Sequence, residues 1–386
     1  MKEVTFIGAC FPPNTLNQLI EKKQIKDIAA NVFGWKIVSS LVENDILVNV
    51  INEWKIDYFH KNRILLIKER RERNDLINLY TYSYFNLPLI KKIYKIIKIY
   101  QELKKIKAEK IIVYSMHTPY LFPAILYSKI ENKKVFLFVP DLPQYMFSNY
   151  KGFFKLLKNI DLKILEILRK HVFKYILLTE KMAKELNIKE ERYIVIEGIC
   201  DEQNNEINFT NSDKKYIFYS GVISKEYGLK NFIDEYLKSK IAEEFWLCGE
   251  GNFVDEIKKV AKKYPKIKYL GLVNRVDLLK LQKNASLLIN PRSKKDTYTD
   301  FSFPSKTMEY LASGTPVMME KLNGIPKEYY NYIVEVKEGE WCIEIQNFFK
   351  RTLEDRKRIG KLGQLFVLNE KNIKKQGEKI FDFIKE

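Results

Sequence analysis

The feature that most constrains the fold is a regular alternation of short apolar runs with longer amphipathic segments. The alternation fills residues 1–196 and starts again in residues 213–370. The apolar runs are EVTFIGA, ILVNVI, KIIVYS, KVFLFVP, YILLTE and YIVIEG in the first part, and KKYIFYSG, EEFWLCGEG, KIKYLGLV, SLLINPR and TPVMME in the second. Strands that alternate with helices form parallel sheets covered by helices on both faces. The pattern therefore predicts two doubly wound α/β domains.

A polar segment separates the two parts. Residues 197–215, EGICDEQNNEINFTNSDKK, are rich in Asn and show neither strand nor helix periodicity. Domain boundaries usually fall in segments of this kind, so we predict that this one joins the two domains. A final helix is predicted over residues 373–386.

The charge of the chain points to an anionic partner. The 67 basic and 49 acidic residues give a net charge of +18, which favours nucleic acid, a phospholipid surface or a phosphorylated substrate. A Lys-rich composition without any functional cause would give the same charge, and composition alone leaves both explanations open. Because no recognition-helix, RRM or zinc-finger pattern is present, nucleic acid is not the predicted partner.

Metal sites and membrane spans are not predicted. The four cysteines lack C-x-x-C spacing and the three histidines lack ligand spacing, so we expect free thiols in a reducing cytosol and no metal or cofactor. We do not expect the N-terminus to be a signal peptide, because its apolar stretch is short and predicts a first strand. Residues 111–128 carry no Lys, Arg, Asp or Glu, but His117, Pro119 and Pro123 interrupt them, which favours strand, loop and helix over a spanning helix. The expected location is the cytoplasm.

A candidate anion site lies in the second half, where FPSKTMEYLA opens a helix directly after a loop. Pro304 suits the first helical turn, where no backbone donor is needed. The amides of Ser305 and Lys306 would then lie at the positive end of the helix dipole, which suits a diphosphate. Lys306 and Arg292 could add charge-assisted hydrogen bonds. The alternative is that Lys306 is an ordinary solvated residue of the first turn.

The order of motifs in the second half resembles the nucleotide-sugar glycosyltransferases of family 4. The motifs are FYSGVISKEYGLKNFIDEY, WLCGEGNFVDEI, YLGLV, LLINPR and FSFPSKTMEYLASGTPV, which run through most of residues 215–330. The first half is similar only in its architecture and in VPDLPQYM. The resemblance implies the GT-B fold, in which two Rossmann-like doubly wound domains face a central cleft. It also implies that the helix over 373–386 packs back on the first domain.

The resemblance also implies roles for individual residues of the donor site. Glu309 matches the second Glu of the family's paired-Glu motif, whose carboxylate accepts hydrogen bonds from the ribose hydroxyls. The loop at Gly271 would place backbone groups of Leu272 and Val273 against the base. The remaining residues that we assign to the donor site are Gly221, Lys225 and Phe303.

The sequence departs from the family pattern at several positions. Phe301 stands where the first Glu of the pair is expected, and Val222 and Tyr227 stand where the family has a phosphate-binding Arg and its companion Lys. Lys225 or Lys306 could substitute for those cations. Pro140 replaces the first-domain His that lies over the donor sugar, and His117 is an alternative supplier of that contact.

The chemistry that the resemblance implies is a metal-independent transfer that retains the anomeric configuration. No D-x-D pair is present, so protein cations and helix amides would stabilise the departing nucleotide. Asp141 is the candidate for contacting the acceptor hydroxyl, and a turn or capping role in PDLP is the alternative. The predicted enzyme moves a hexosyl group from a UDP-sugar to a lipid-linked saccharide, as in bacterial capsule, exopolysaccharide or O-antigen synthesis. The alternatives are a non-catalytic nucleotide-sugar-binding paralogue and, less favoured, a basic nucleic-acid-binding protein.

Two Lys-rich segments predict attachment to an anionic membrane surface. Residues 91–110 hold eight Lys against two Glu, a net charge of +6, and residues 151–174 hold seven basic against two acidic residues, a net charge of +5. The second segment also has apolar residues at largely helical spacing. A peripheral position at the inner face of the cell membrane would follow. The alternative is that the apolar faces pack on the sheet and the lysines merely solvate the other side.

Overall fold

Both predicted sheets are present in the computed structural model, which describes residues 2–57, 59, 63–87, 90–145, 152–200, 215–293 and 297–385. The chain forms two structural units. The first unit consists of Met1–Ile199 and Ile373–Glu386, and the second of Cys200–Asn372. Most of the predicted linker, residues 201–214, lies outside the described residues.

The first unit is built on an eight-stranded sheet with the order β10-β9-β8-β7-β1-β2-β5-β4. Neighbouring strands are parallel except β4 and β5, and β3 and β6 form a separate antiparallel pair. The chain builds the sheet outwards from β1 in one direction and then from β7 in the other, so the topological switch lies between these two strands. The strands are β1 (Glu3–Gly8), β2 (Leu47–Asn52), β3 (Leu66–Ile67), β4 (Arg70–Arg73), β5 (Ile77–Thr81), β6 (Tyr84–Phe85), β7 (Lys110–Tyr114), β8 (Lys134–Val139), β9 (Lys174–Leu177) and β10 (Tyr193–Val195).

The helices of the first unit include the last helix of the chain. This C-terminal helix packs closely on α2, because a Cβ at Gly377 would lie 1.9 Å from the Ser40 carbonyl oxygen. Its residues Ile380 and Ile384 belong to the same buried core as Val38. The helices are α1 (Pro13–Glu21), α2 (Ile28–Val42), α3 (Ile90–Ile106), α4 (Thr118–Glu131), α5 (Gly152–Arg169), α6 (Glu180–Glu185) and, at the C-terminus, α13 (Ile373–Lys385).

The second unit has a six-stranded, fully parallel sheet with the order β13-β12-β11-β14-β15-β16, in which the switch lies between β11 and β14. Its strands are β11 (Tyr216–Ser220), β12 (Glu244–Cys248), β13 (Ile267–Tyr269), β14 (Leu287–Asn290), β15 (Val317–Glu320) and β16 (Val334–Val336). Its helices are α7 (Leu229–Ser239), α8 (Val254–Lys263), α9 (Arg275–Asn284), α10 (Ser305–Ala312), α11 (Trp341–Lys350) and α12 (Leu353–Glu370). The predicted fold class, two doubly wound α/β domains, is confirmed.

The first half of helix α3 buries lysines and exposes isoleucines, although Ile99 and Leu103 are buried further along. Lys91 and Lys95 are buried, whereas Ile90, Ile93 and Ile97 are exposed. Lysines spaced four residues apart lie on one helix face, and here that face points inwards. The alternative given above, in which the lysines merely solvate the outer side of the helix, therefore does not hold for these two. Among the described residues, no helix is both long and apolar enough to cross a membrane.

Candidate functional site

A pocket of about 200 Å³ opens in the second unit, where β11 and β14 end. In doubly wound sheets, ligands bind at the carboxyl ends of the strands, beside the topological switch. The pocket lies at that position, because Ser220 is the last residue of β11 and Asn290 the last of β14. Its lining consists of Tyr219, Ser220, Gly221, Val222, Tyr227, Asn290, Arg292, Pro304, Ser305, Lys306 and Tyr310.

One wall of the pocket is the start of α10. The helix begins at Ser305, and Pro304 precedes it without a side-chain cap. The Thr307 amide is used locally, since it donates to the Pro304 carbonyl over 2.8 Å. The Asn290 side chain donates to the Thr307 hydroxyl over 3.2 Å and so ties the helix to the end of β14. Ser305 and Lys306 line the pocket, at the positive end of the helix dipole.

Arg292 and Tyr227 also line the pocket and contact each other. Arg292 lies with its guanidinium carbon 4.4 Å from the centre of the Tyr227 ring, which favours a fixed cation by a cation–π contact. The chain can approach this closely because Gly228 adopts a φ of +77°, and a Cβ there would lie 1.9 Å from the Pro291 carbonyl oxygen. Tyr227, which stands where the resemblance expects a Lys, therefore orients Arg292 at the pocket.

Glu309 lies beside the pocket, and three side chains donate to its carboxylate. Gln282 Nε2 and Lys306 Nζ lie 2.6 and 2.9 Å from Oε1, and Arg275 Nη1 lies 3.2 Å from Oε2. Burial by itself would raise the pKa of Glu309, but Lys306, Gln282 and Arg275 together hold that pKa below its usual range. The carboxylate is therefore ionised at neutral pH, and in that state both of its oxygens can only accept hydrogen bonds.

A buried hydrogen-bond network connects Glu309 to the end of β11. The Tyr310 hydroxyl donates to the Ser220 carbonyl over 2.9 Å and accepts from the Ser220 amide over 2.8 Å. Gln282 Nε2 donates to Ser220 Oγ over 3.1 Å. Sequence reasoning missed Ser220, Tyr310, Gln282 and Arg275. Gln282 and Arg275 are far from Glu309 along the chain, and no local pattern marks them.

The pocket brings together four of the predicted donor-site residues, Gly221, Arg292, Ser305 and Lys306, with Glu309 adjacent. Others lie elsewhere in the unit. Lys225 is 3.4 Å from Glu256, and Phe303 is buried in the core, where its ring centre lies 5.4 Å from that of Tyr329. Gly271 has a φ of +71° with open space around it, Leu272 is 70% exposed, and Val273 is half-buried. The roles of these residues stay predictions.

The loop at Gly271 nevertheless lies close to the chain that forms the pocket. The Gly271 carbonyl accepts from the Gly249 amide over 2.9 Å, and a Cβ at Gly249 would lie 1.8 Å from the Gly221 carbonyl oxygen. The glycines of the CGEG motif thus allow two loops to pack on each other. Their structural role does not require contact with a ligand.

In the first unit, the two predicted catalytic residues follow neighbouring strands. His117 follows β7 and immediately precedes α4, with its ring centre 4.8 Å from that of Tyr120. Burial and the nearby Lys95 lower the pKa of His117 to about 3, so its imidazole is neutral. Asp141 follows β8 and is exposed. Partial desolvation and then Asp27 raise the pKa of its carboxyl.

A buried ionic cluster that the sequence did not reveal lies at the same edge of the sheet. Glu53 follows β2 and is 1% exposed. Its carboxylate lies 2.5 Å from Lys95 Nζ and 4.0 Å from Lys91 Nζ, and it accepts a 2.5 Å hydrogen bond from Tyr120. Burial would raise the pKa of Glu53, but Lys95, Lys55 and Lys91 hold it far below its usual range.

Comparison with known proteins finds similarity to glycosyltransferases, over part of the chain in sequence and over the whole chain in fold. Residues 201–343 match the family described as glycosyl transferases group 1, and no curated protein matches the chain. Among solved structures, the chain is similar to Anabaena Alr3699/HepE (13% identity, all of both chains, TM-score 0.65). It is also similar to sucrose-phosphate synthase from Thermosynechococcus elongatus (11% identity, all of this chain and 98% of that chain, TM-score 0.65). A glycosyltransferase from Rickettsia africae ESF-5 is 15% identical over all of this chain and 98% of its own, with a TM-score of 0.65. The predicted resemblance and the GT-B fold are confirmed.

Proposed function

We propose that this chain, which is a glycosyltransferase with the GT-B fold, transfers a hexosyl group from a UDP-sugar to a lipid-linked saccharide with retention of configuration and without a metal. The observation that carries the donor half of the proposal is the pocket at the β11–β14 switch. There, the first turn of α10, Lys306 and Arg292 surround one small volume, and an ionised Glu309 lies next to it. A negatively charged diphosphate and a ribose with two hydroxyls suit these two groups of residues.

The assignment of a UDP-sugar follows from similarity. Alr3699/HepE has been solved in complex with UDP and in complex with UDP-glucose. In this chain, we assign the diphosphate to Lys306, Arg292 and the amides at Ser305, and the ribose hydroxyls to Glu309. The base would lie near the exposed loop at Gly271.

The proposed reaction breaks the bond between the anomeric carbon and the β-phosphate oxygen. The acceptor hydroxyl oxygen forms the new bond on the same face of the sugar, and its proton passes to the departing phosphate. Lys306 and Arg292 stabilise the charge that grows on that phosphate. Asp141 contacts the acceptor hydroxyl. His117 contacts the donor sugar as a neutral hydrogen-bonding group.

A second candidate is a nucleotide-sugar-binding protein without transfer activity. Val222 is exposed and lines the pocket where the family resemblance expects an Arg, and Phe301 replaces a sugar-binding Glu. The first change removes a phosphate-binding cation and the second removes a group that would hold the donor sugar, whereas Lys306 and Glu309 remain. Nucleotide binding is therefore common to both candidates, and sugar transfer separates them.

The test is a thermal-shift screen with UDP-, GDP-, ADP- and dTDP-sugars, since a ligand that binds the folded state raises its stability with the logarithm of saturation. The expected result is a shift with UDP-sugars that EDTA leaves unchanged. Release of UDP that requires a saccharide acceptor identifies a transferase, and binding without release identifies the second candidate. A chain that shifts with none of the four nucleotides contradicts both.

The lipid-linked acceptor is proposed from the surface of the first unit. Helix α5 exposes apolar side chains along one face, and α3 and α4 do the same on neighbouring helices. The exposed residues are Ile90, Ile93 and Ile97 on α3, Phe122, Leu126 and Ile130 on α4, and Leu156, Leu157, Ile160, Ile164 and Ile167 on α5. An apolar face that packs on the sheet would be buried instead. Exposed apolar rows among lysines are typical of helices that lie in a membrane surface.

Vesicle co-sedimentation tests this half of the proposal. Wild type is expected to sediment with vesicles that contain phosphatidylglycerol at low salt, and less at high salt, because each basic residue near an anionic leaflet contributes about 1 kcal/mol. A Leu157, Ile160, Ile164 triple Asn variant should lose binding at every salt concentration. A Lys155, Lys158, Lys163 triple Glu variant should lose mainly the salt-dependent part. If wild type stays in the supernatant at low salt, the acceptor is a soluble molecule.

A further inference from the structure

The amide of Gln282 occupies a fully enclosed position between the end of β11 and Glu309. Its side chain has no exposed surface. Nε2 donates to Glu309 Oε1 over 2.6 Å and to Ser220 Oγ over 3.1 Å. The Gln282 carbonyl in turn accepts from the Thr315 hydroxyl over 2.8 Å, which fixes this turn of α9. The side chain therefore has little freedom to move.

The orientation of this amide is set by its neighbours. If the two ends of the amide were exchanged, Oε1 would face the Glu309 carboxylate, and two acceptors would meet without a hydrogen. In the orientation present, Oε1 is buried and has no hydrogen-bond partner among the described residues. An unsatisfied buried oxygen costs stability, so its presence calls for an explanation. The orientation present lets Nε2 donate a hydrogen bond to Glu309, and this hydrogen bond explains why Oε1 is left without a partner.

The three donors to Glu309 differ in their freedom. Gln282 is enclosed, whereas the side chains of Lys306 and Arg275 are 35% and 58% exposed. Lys306 also lines the pocket, so it can turn from Glu309 towards an anion there. The enclosed Gln282 side chain cannot move away from Glu309. Because its amide is neutral, a phosphate in the pocket does not draw it away from the carboxylate.

We infer that Gln282 is a positioning residue, which holds the Glu309 carboxylate in place for the ribose hydroxyls of the donor. Lys306, in contrast, moves from Glu309 to the diphosphate when the donor binds. This inference rests on the proposed function, because it assigns the ribose to Glu309. It predicts that Gln282 controls how strongly the site distinguishes a ribose from a deoxyribose. A residue that served only folding would not affect that discrimination.

The first test compares UDP with 2′-deoxy-UDP by titration calorimetry. Wild type should prefer UDP by about tenfold, which corresponds to one hydroxyl hydrogen bond to a charged group. Gln282→Leu should weaken UDP by about tenfold, weaken 2′-deoxy-UDP less because only its 3′-hydroxyl can reach Glu309, and so reduce the preference. Gln346→Leu is the matched control, since Gln346 donates to the Ser239 carbonyl in α7 and does not line the pocket. The control should keep the wild-type ratio.

The second test adds a charge in place of the amide. Gln282→Glu brings a second carboxyl against Glu309, and two such groups cannot both ionise easily. The groups around Glu309 are Lys306 and Tyr310 on its own helix, Arg275 on α9 and Cys248 on β12. Burial raises the pKa of Cys248 to about 11 and also raises that of Tyr310, so neither loses its proton below pH 8. UDP affinity of Gln282→Glu should therefore fall between pH 6 and pH 8, whereas wild type shows a much smaller change.

The outcomes separate this inference from the proposed function. If wild type does not bind UDP, the proposed donor site is wrong and the inference falls with it. If wild type binds UDP and Gln282→Leu weakens both nucleotides equally, the donor site stands and the positioning role is overturned. If Gln282→Leu does not fold, the test rests on Gln282→Glu. A UDP affinity of Gln282→Glu that changes with pH as the wild-type affinity does would overturn the positioning role of Gln282.

Discussion

The carboxyl edge of each sheet carries a glutamate paired with two cations, but the two clusters differ in their accessibility. In the first unit, Glu53 is enclosed with Lys95 and Lys91, and their side chains are almost inaccessible to water. In the second unit, Glu309 is paired with Lys306 and Arg275, whose ends reach solvent. Charges that are sealed in the protein can only serve each other, whereas charges at a pocket can exchange partners with a ligand.

Because the two charged clusters differ in accessibility, the two sheet edges suit different tasks. In the first unit, Lys95 and burial together keep His117 neutral at all physiological pH values. In the second, Lys306 and Arg275 keep Glu309 ionised and are themselves available to a substrate. Under the proposed function, the neutral imidazole of His117 suits a sugar, and the open edge with its cations suits a diphosphate. Substitutions at the sealed edge should therefore act on stability, and those at the open edge on donor affinity.

The largest effect is expected where one partner of the sealed pair is removed. Lys95→Met removes the closest cation and leaves the buried Glu53 carboxylate with Lys91 4.0 Å away and with Lys55, whose influence is weaker than that of Lys95. Breaking a buried ion pair by removing one partner costs about 3–5 kcal/mol. The free energy of unfolding in urea should fall by that amount.

The matched control is Lys98→Met on the same helix. Lys98 is half-buried and lies 5.9 Å from the centre of the Tyr94 ring, so its loss should cost well under 1 kcal/mol. Equal effects of the two substitutions would show that the cluster is not a special feature of the first unit.

At the open edge, substitutions should change donor affinity more than stability. Glu309→Ala and Lys306→Ala each remove a charged hydrogen-bond partner, which costs about 1.5–3 kcal/mol, or one to two decades in the Kd for UDP. Titration calorimetry measures the loss. Lys280→Ala is the control, because Lys280 lies on α9 and pairs with Asp277 over 3.6 Å, away from the pocket lining. An unchanged Kd in both Glu309→Ala and Lys306→Ala, with folding intact, would remove the donor site from this edge.

The two edges also differ in how far they could be predicted from the sequence. Alternating apolar runs predicted both sheets, and the start of α10 was visible because Pro304 and a cation stand at a loop-to-helix junction. Glu53 carries no such signal, and Lys91 and Lys95 appear in a Lys-rich helix where solvation is the normal outcome. Their burial depends on a carboxylate about 40 residues earlier in the chain. Gln282 is similar, since its partner Glu309 is brought near only by the packing of α9 and α10.

The sealed cluster should also give stability a distinctive pH dependence. Burial lowers the pKa of Lys91 to about 8 from an ordinary value of 10.5, so the unfolded chain binds more protons between these two values. Stability from this group is therefore reduced below pH 8 and recovers as the pH rises towards 10.5. Relative to Lys91→Met, wild type should gain about 2.5 kcal/mol between pH 7 and pH 10, on the basis of 1.36 kcal/mol per pKa unit. The buried tyrosines of the cluster are present in both proteins and largely cancel. Urea unfolding at both pH values measures the gain, and parallel curves would show that Lys91 keeps its ordinary pKa.

The smallest effect is expected for Arg275, which contacts the same carboxylate as Lys306 but from the solvent side. Its guanidinium lies 3.2 Å from Glu309 Oε2, and its side chain is 58% exposed. Exposed ion pairs contribute about 0.2–1 kcal/mol and are screened by salt. Arg275→Ala should therefore lower UDP affinity by less than tenfold at low salt and by much less in about 0.5 M salt, where the screening length is only a few ångström. Arg275→Lys should restore most of the loss, because an exposed pair depends mainly on charge. A loss above tenfold that persists at high salt would place Arg275 against the donor itself, and the open edge would then hold its ligand with a third cation.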